Sequence, residues 1–285
     1  MTETYAWPAD EEHVEVVGNG LSAIVVPSRG GKVISLRDGR GVEWLAQPDR
    51  PVGAAARPGD DFLHAEMSGW DECAPTIVEC VVDGVELADH GELWTKAFHH
   101  DGPTMSVHDD TLGYRFQRTI LAAESGLIFS YEVTAMERAV PFLWAAHPQF
   151  RAPSGSWVRL PSAVETVVDV MDPAIVELPW APTLGSIDTV PREGYRKIYA
   201  HPERTVSEAA LVHPDGAALT MSWSSTCPYV GLWFDRFTYR AEPIIAIEPS
   251  TAYFDSLTTA MSLGRAPVIP AGETLAWTVL LRVDS

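Results

Sequence analysis

The chain has 285 residues, 46% of them hydrophobic and 21% charged, a composition typical of a folded globular protein and not of a disordered or fibrous one. Aspartate and glutamate number 39 against 20 lysines and arginines, which gives a formal net charge of -19. That charge repels phosphate backbones and anionic lipid, so we expect neither nucleic-acid binding nor attachment to a membrane.

The N-terminal residues and the cysteines indicate where in the cell the protein is expected. The first twelve residues contain no basic region followed by an apolar stretch, and the longest apolar run, 142–146, is far shorter than the roughly 20 residues of a membrane span. Cys73, Cys80 and Cys227 cannot all pair and form no CxxC spacing, which is typical of reduced thiols. We therefore predict a soluble cytoplasmic protein.

Turn sequences recur between short stretches rich in Val, Ile, Trp, Tyr and Phe. Asp-Gly or Ser-Gly pairs stand at 38–39, 83–84, 125–126 and 215–216, and glycine there supplies the positive φ that a tight hairpin needs. The flanking strands are predicted at 32–37 and 42–45, 76–82 and 85–87, 114–122 and 127–135, and 209–212 and 217–223.

Periodicity supports the same class of fold. Apolar and polar residues alternate strictly over 127–135, and 274–283 is predicted to be a closing strand. A short helix is predicted at 255–263, whereas 173–191, with four prolines and no periodicity, is predicted to be a long irregular connection. No shift in composition divides the chain. We therefore predict one antiparallel all-β domain over 1–285, either a large sandwich or a barrel.

The common nucleotide-binding, serine-hydrolase and zinc-protease motifs do not occur in the sequence. Four histidines, together with Glu92, could be imagined as a metal site, but no HxH spacing accompanies them. The histidines are His90, His99, His100 and His108. We expect loop and strand-edge histidines there, and a protein without metal or other cofactor.

Two apolar segments end in an ionisable side chain followed by proline, at His147-Pro148 and at Glu248-Pro249. Proline ends the hydrogen-bonded ladder of a strand, so these side chains are predicted at the ends of buried strands. Burial raises the pKa of a carboxyl and lowers that of an imidazole, which makes both able to exchange protons near neutral pH. A core histidine and a salt-bridged glutamate are the structural alternative.

Four segments resemble, in order, landmark segments of the aldose 1-epimerase (galactose mutarotase-like) family, and the resemblance runs from about residue 23 to the C-terminus. The segments are Gly-Trp-Asp-Glu-Cys-Ala-Pro-Thr (69–76), Asp-His-Gly-Glu-Leu-Trp (89–94), Trp-Ala-Ala-His-Pro (144–148) and Ala-Ile-Glu-Pro (246–249).

The resemblance implies a large antiparallel β-supersandwich with a sugar site on its concave face. It implies His147 as general acid, Glu248 as general base and His90 as a second histidine that holds the sugar. Opening of the hemiacetal ring needs one proton taken from the O1 hydroxyl and one given to the ring oxygen, and an imidazole and a carboxylate suffice for both transfers.

Four further residues in or beside these segments are predicted to bind substrate: the indoles of Trp70 and Trp94 and the carboxylates of Asp71 and Asp235. The arginine that the family usually carries near the first segment has no counterpart here. Trp94 also stands where relatives acting on sugar 6-phosphates have an arginine. We therefore expect a neutral aldose rather than a sugar phosphate.

Three functions remain open at this level. The first is a mutarotase, acting as a monomer or homodimer on a small sugar, and the second is a catalytically silent carbohydrate-binding protein. The third is another carbohydrate enzyme on the same scaffold, a lyase or a hydrolase. A hydrolase needs two carboxyl groups about 5–9 Å apart across one glycosidic bond, which Glu248 with Asp71 or Asp235 could supply.

Overall fold

A computed structural model describes residues 6–171 and 175–284. Within these ranges the chain forms one short α-helix, α1 (Leu257–Ser262), and four single-turn 3-10 helices; none of these helices has the length and hydropathy of a membrane span. The strands are β1 Val14–Val17, β2 Leu21–Val26, β3 Lys32–Asp38, β4 Trp70–Cys73, β5 Cys80–Val82, β6 Val85–Leu87, β7 His99–Asp101, β8 Thr104–Asp109, β9 Tyr114–Ala123, β10 Gly126–Ala135, β11 Val140–Pro141, β12 Ala145–Pro148, β13 Phe150–Arg151, β14 Trp157–Arg159, β15 Thr166–Asp169, β16 Val176–Pro179, β17 Gly194–Ala200, β18 Glu208–Val212, β19 Ala218–Trp223, β20 Tyr229–Arg236, β21 Ile244–Ser250, β22 Val268–Ile269 and β23 Thr274–Asp284.

Two large antiparallel sheets dominate the described part of the chain. The larger has the order β1-β2-β3-β4-β12-β21-β20-β17-β15-β16, with β13 also paired to β21. The smaller has the order β14-β18-β19-β23-β10-β9-β8-β7. Both orders are open paths, so the fold is the sandwich rather than the barrel of the two predicted alternatives.

Aromatic side chains fill the space between the sheets. Trp70 from the larger sheet stacks on Phe129 from the smaller, with ring centroids 4.8 Å apart. Trp277 stacks on Tyr131 at 5.3 Å and lies 5.0 Å from Trp144. The strict alternation over 127–135 predicted an inward face of this kind, and its apolar members are buried.

Three of the four predicted hairpins are present, with turns at 83–84, 125–126 and 215–216. The fourth is wrong, because residues 42–45 make isolated bridges instead of a strand. The predicted helix is α1, whose first turn is capped by the Ser256 hydroxyl accepting from the Thr259 N–H.

The expectation of an irregular connection over 173–191 is corrected in part, although residues 172–174 lie outside the described ranges. The segment contains strand β16 at the edge of the larger sheet and a 3-10 turn, Ile187–Thr189. Proline is compatible with an edge strand because the missing N–H faces away from the neighbour, and β16 ends at Pro179.

The middle of the larger sheet places chemically active residues side by side. Alternation along each strand turns Ile198 and Ile247 into the core between the sheets. Their neighbours Lys197 and Glu248 therefore point to the opposite face, away from the smaller sheet. We call this the outer face of the larger sheet, and the candidate site lies on it.

Candidate functional site

His147 and Glu248 lie on the neighbouring strands β12 and β21, although 101 positions separate them in the sequence. His147 Nε2 is 3.9 Å from Glu248 Oε1, and the two side chains are 8% and 1% exposed. The structure therefore brings the two residues that the sequence marked as acid and base into direct proximity, in surroundings from which water is largely excluded.

His90 joins them from the loop that follows β6. Its ring centroid is 5.4 Å from that of His147, and its Nδ1 lies 2.7 Å from an Asp89 carboxylate oxygen. The next residue, Gly91, has a φ of +68°, and a Cβ there would lie 2.0 Å from the carbonyl oxygen of Ala74. Only glycine permits this approach, which docks the His90 loop against the end of β4.

Lys197, which no sequence pattern singled out, contacts the proposed base. Its Nζ donates to Glu248 Oε2 and lies 3.4 Å from Asp255 Oδ1. The Tyr199 hydroxyl donates to the same Asp255 oxygen at 2.5 Å. Glu248 is therefore held through one carboxylate oxygen, while the other faces His147.

This contact must cross a strand, because β20 lies between β17 and β21. Gly231 of β20 stands directly opposite both Glu248 and Tyr199 in the register. A Cβ at Gly231 would lie 3.0 Å from the Tyr199 ring and 3.3 Å from Glu248 Oε2, so the absence of a side chain makes room there for the tyrosine ring and the carboxylate.

Asp71, predicted to bind substrate, stands directly opposite His147 across β4 and β12. One of its oxygens accepts from Lys32 Nζ at 2.6 Å, and the same ammonium donates to the carbonyl oxygens of Glu66 and Ser68. Lys32 was also missed in the sequence, since it lies 39 positions from Asp71.

Glu248, Asp71 and His147 each have one buried polar atom without a hydrogen-bond partner among the residues that the structure describes. These atoms are Glu248 Oε1, Asp71 Oδ1 and His147 Nδ1. A buried polar atom without a partner is unfavourable by about 1–3 kcal/mol, so a cluster of three is typical of a place that binds a polar ligand. Hydroxyl groups of a sugar are suitable partners for each.

Burial and charge act together on the protonation of the pair. Burial raises the pKa of the Glu248 carboxyl, and the Lys197 ammonium opposes that rise only in part. Burial also lowers the pKa of His147 well below its usual value, and the neighbouring His90, Lys197 and Lys32 lower it further. The two shifts bring the proton affinities of the carboxylate and the imidazole closer together, which suits the exchange of protons with one ligand.

Residues 47–68, which we call the strap, cover the two histidines. Phe62 of the strap stacks on His90 with ring centroids 3.8 Å apart and meets the rings of His147 and Trp94 edge-on at 5.6 and 5.1 Å. Arg240 holds one end of the strap by donating to the Gln47 carbonyl at 2.7 Å.

A cavity of about 430 Å³ is lined mostly by strap residues, together with Arg29, Lys32 and Trp94. Trp94, predicted to bind substrate, thus faces this cavity and packs against Phe62, and its indole N–H donates to the Gly91 carbonyl at 3.0 Å. The sequence contained no pattern from which the strap or Phe62 could have been assigned to the site.

Two of the predicted substrate-binding residues lie elsewhere. Trp70 is fully buried against Phe129 in the core, because alternation along β4 turns it inward when Asp71 points outward. Asp235 is also fully buried, and it accepts hydrogen bonds from the backbone N–H groups of three residues in the turn after β20. Its carboxylate therefore stabilises that turn.

No group of three or more His, Cys, Asp or Glu in the described ranges is arranged to hold a metal ion. Glu92, considered as a ligand together with nearby histidines, instead accepts a hydrogen bond from Thr111 and pairs with Lys96 at 3.2 Å. The expectation of a site without metal stays a prediction.

A scan of protein-family models and a search of curated proteins find no match to the sequence. Solved structures match the fold over nearly the whole chain. A protein of Synechocystis sp. PCC 6803 has a TM-score of 0.76 at 14% identity, with 100% of this chain and 99% of that chain covered.

Two galactose mutarotase-like proteins are also similar. The one from Clostridium acetobutylicum has a TM-score of 0.69 at 14% identity, covering 99% of this chain and 98% of its own. The one from Lactobacillus casei has a TM-score of 0.67 at 16% identity, covering 96% and 100%. The resemblance stated from the sequence is therefore confirmed at the level of the fold, which is that of the galactose mutarotase-like proteins.

Proposed function

We propose that this protein is an aldose 1-epimerase that interconverts the α and β anomers of a neutral aldose. The observation that carries the proposal is the buried pair of His147 and Glu248, 3.9 Å apart on the outer face of the larger sheet, with His90 beside them. The fold shared with galactose mutarotase-like proteins supports it.

The spacing of the pair suits the reaction. The hydroxyl oxygen O1 and the ring oxygen O5 of an aldose are both bonded to C1, so the base and the acid must lie close together. Glu248 Oε1 takes the proton of O1–H as the C1=O1 double bond forms. The C1–O5 bond breaks, and its electron pair takes a proton from His147. Rotation about C1–C2 and the reverse transfers then give the other anomer.

The electrostatics of the site favour the open-chain intermediate. Ring opening leaves Glu248 protonated and His147 neutral, because one proton has moved from imidazolium to sugar and another from sugar to carboxylate. Burial raises the pKa of Glu248 and lowers that of His147, and both shifts stabilise this charge state. The open-chain aldose is therefore bound by the form of the pair that the surroundings prefer.

A neutral substrate fits the charges of the site. Lys32 and Lys197, the lysines nearest to the pair, are each already bound to a buried carboxylate. Arg29 at the adjoining cavity is likewise paired with Glu11 through two hydrogen bonds. A phosphate or carboxylate on the sugar would have to compete for these cations, whereas hydroxyl groups would not.

Polarimetry tests the proposal directly. The decay of optical rotation of freshly dissolved α-D-glucose and α-D-galactose should be faster with the protein than without it. Glu248→Gln removes the base at nearly constant volume and should lower turnover by about 10²–10⁴-fold. Glu242→Gln changes an exposed pair with Arg151 and is the matched control. Near-wild-type anomerisation by Glu248→Gln would contradict the mechanism.

A catalytically silent sugar-binding protein is the second candidate. The observation that favours it is the burial of His147, which lowers the pKa of the imidazole well below its usual value and so disfavours the imidazolium that must act as the acid. A wild-type protein that binds aldoses in calorimetry but accelerates the anomerisation of none would establish this alternative. For the hydrolase alternative, the turn after β20 already uses the Asp235 carboxylate, which leaves Asp71 as the second carboxyl group.

A further inference from the structure

We propose that Lys197 is a positioning residue, which keeps Glu248 ionised as the base and directs Oε1 of that carboxylate towards the sugar. The inference rests on the proposed function and deepens it. Lys197 Nζ is bound between Glu248 Oε2 and Asp255 Oδ1, and Tyr199 fixes Asp255 from the other side. Lys197 therefore binds one oxygen of the carboxylate and leaves the other free to react.

The use of lysine in this chain is selective. The sequence has only 3 lysines among its 20 lysines and arginines. Each of the three is paired with a carboxylate that is no more than 1% exposed: Lys32 with Asp71, Lys96 with Asp109, and Lys197 with Glu248. Two of these pairs belong to the candidate site. The exposed cations of this protein are arginines, and one arginine, Arg118, also pairs with a buried carboxylate, that of Glu72 in the core between the sheets.

The chemistry of the two cations explains why lysine suits this position. A guanidinium is a planar fork that binds both oxygens of a carboxylate, whereas an ammonium is a compact point charge that can bind one. An arginine in place of Lys197 would compete with the sugar for Oε1. Lysine supplies the positive charge and leaves Oε1 available to the sugar. Oε1 has no hydrogen-bond partner among the described residues.

The contact is built into the sheet. Lys197 is on β17, one strand removed from Glu248, and Gly231 on the strand between them leaves room beside the carboxylate. The Lys197 side chain is 6% exposed, and its Nζ lies 5.6 Å from the centre of the Tyr199 ring. Burial and the neighbouring Tyr199 ring therefore restrict the direction of the ammonium and, through it, the direction of the carboxylate.

Several titratable groups surround Glu248, and Lys197 has the largest opposing effect on its protonation. Burial raises the pKa of Glu248, Lys197 lowers it, and Asp255 raises it again. The charged and titratable groups that face this region from the elements packed around it are Lys32 of β3, Asp71 and Cys73 of β4, His90 of the loop after β6, His147 of β12, Lys197 and Tyr199 of β17, and Asp255 after β21. Without the ammonium, the pKa of Glu248 would rise further and less of the carboxylate form that acts as the base would be present.

Two measurements on Lys197→Met and Lys197→Gln test this inference. The first is a ¹³C NMR titration of the Glu248 carboxyl, assigned by its absence from Glu248→Gln, which needs no activity. The second is the pH profile of kcat. Both variants should raise the pKa of Glu248 and move the acid limb of the kcat profile to higher pH by the same amount, with little change in KM. Lys197→Arg should keep the wild-type acid limb but raise KM, since its fork competes for Oε1.

Lys96→Met removes the remaining lysine–carboxylate pair, away from Glu248, and is the matched control. It should leave both the titration and the profile unchanged. An unshifted Glu248 titration in folded Lys197→Met or Lys197→Gln overturns the inference. If the wild type anomerises no aldose and the titration still shifts, the proposed function fails while Lys197 is shown to control the ionisation of Glu248.

Discussion

The two oxygens of Glu248 have different surroundings. Oε2 accepts from Lys197, whereas Oε1 lies 3.9 Å from His147 and has no hydrogen bond among the described residues. A carboxylate satisfied on both oxygens would be a structural ion pair. The difference between the oxygens is what distinguishes a base from such a pair, and it depends on single side chains from two different strands.

Because His147 and Glu248 act in one ring-opening step, their substitutions should not be additive. His147→Asn keeps a hydrogen-bond donor but cannot deliver a proton, so it should lower turnover about as much as Glu248→Gln, by roughly 10²–10⁴-fold. The double variant should be barely slower than the slower single variant. Polarimetric kcat values for the four proteins check this, and a double variant with the product of both losses would argue for independent roles.

Burial of His147 should also appear in the pH dependence of stability. Burial, aided by neighbouring positive charges, lowers the pKa of His147 in the folded state, whereas the unfolded chain titrates near pH 6.5. The unfolded state therefore binds more protons below pH 6.5, and the free energy of unfolding should fall there by up to about 1.4 kcal/mol per pH unit.

Urea unfolding of wild type and His147→Gln at pH 7.5, 6.5 and 5.5 measures this effect. The variant should lose less stability than the wild type between pH 6.5 and 5.5, because glutamine does not titrate. His64→Gln, at a side chain that is 83% exposed, should retain the wild-type slope. Equal slopes for all three proteins would mean that the fold does not lower the pKa of His147.

At the scale of elements, the strap of residues 47–68 determines access to the pair. Its two ends are held by the charged side chains Arg240 and Lys32, through backbone carbonyls. Between those ends Phe62 lies face to face with His90 and packs in a small cluster with Met67 and Trp94, separate from the main core. A segment held at its ends and packed through few side chains can open at a low free energy.

Truncation of Phe62 should expose the histidines beneath it. Phe62→Ala removes the ring that stacks on His90 and meets His147, so both imidazoles should react several-fold faster with diethyl pyrocarbonate. KM for an active aldose should fall if the ring competes with the sugar. Leu63→Ala, at the adjacent side chain that is 45% exposed, is the control and should change neither value. Unchanged histidine reactivity in Phe62→Ala would show that the strap does not shield the pair.

At the scale of the whole molecule, one ion pair joins the two sheets beneath the site. Arg118 of β9 donates to Glu72 of β4 at 2.7 Å, and both side chains are fully buried. Trp144 and Tyr131 also donate to this carboxylate, at 2.8 and 3.1 Å. Glu72 belongs to the first landmark segment, and the structure shows that it anchors β4 from the core side, whereas Asp71 faces the site.

Glu72→Gln should therefore lower the stability of the folded protein, while Glu72 itself takes no part in the proton transfers. The neutral amide leaves the Arg118 charge buried and uncompensated. The amide nitrogen also places N–H groups against one of the side chains, Arg118, Tyr131 or Trp144, that donate to the carboxylate. The free energy of unfolding should fall by about 3–5 kcal/mol, measured by urea unfolding at pH 7. The exposed variant Glu242→Gln should remain within about 0.5 kcal/mol of wild type. A stable Glu72→Gln with a large loss of kcat would instead place Glu72 in the mechanism.

Much of the architecture could be predicted from local sequence. Alternation over 127–135, the turn glycines and the cap at Ser256 act within a few residues, so five strands of the smaller sheet (β9, β10, β18, β19 and β23), three hairpins and α1 agree with the prediction. The pairing of His147 with Glu248 was predicted as well, because each ends an apolar segment before a proline and stands in a landmark segment.

The tertiary structure alone decided what surrounds that pair. Lys197 is 51 positions from Glu248 and contacts it across the intervening strand, on which Gly231 leaves room beside the carboxylate. Phe62 comes from a strap without periodicity, and Trp70 is excluded from the site by the direction of its own strand. Periodicity and turn chemistry are local and can be read along the chain, whereas contacts across strands depend on register and on which face each side chain takes.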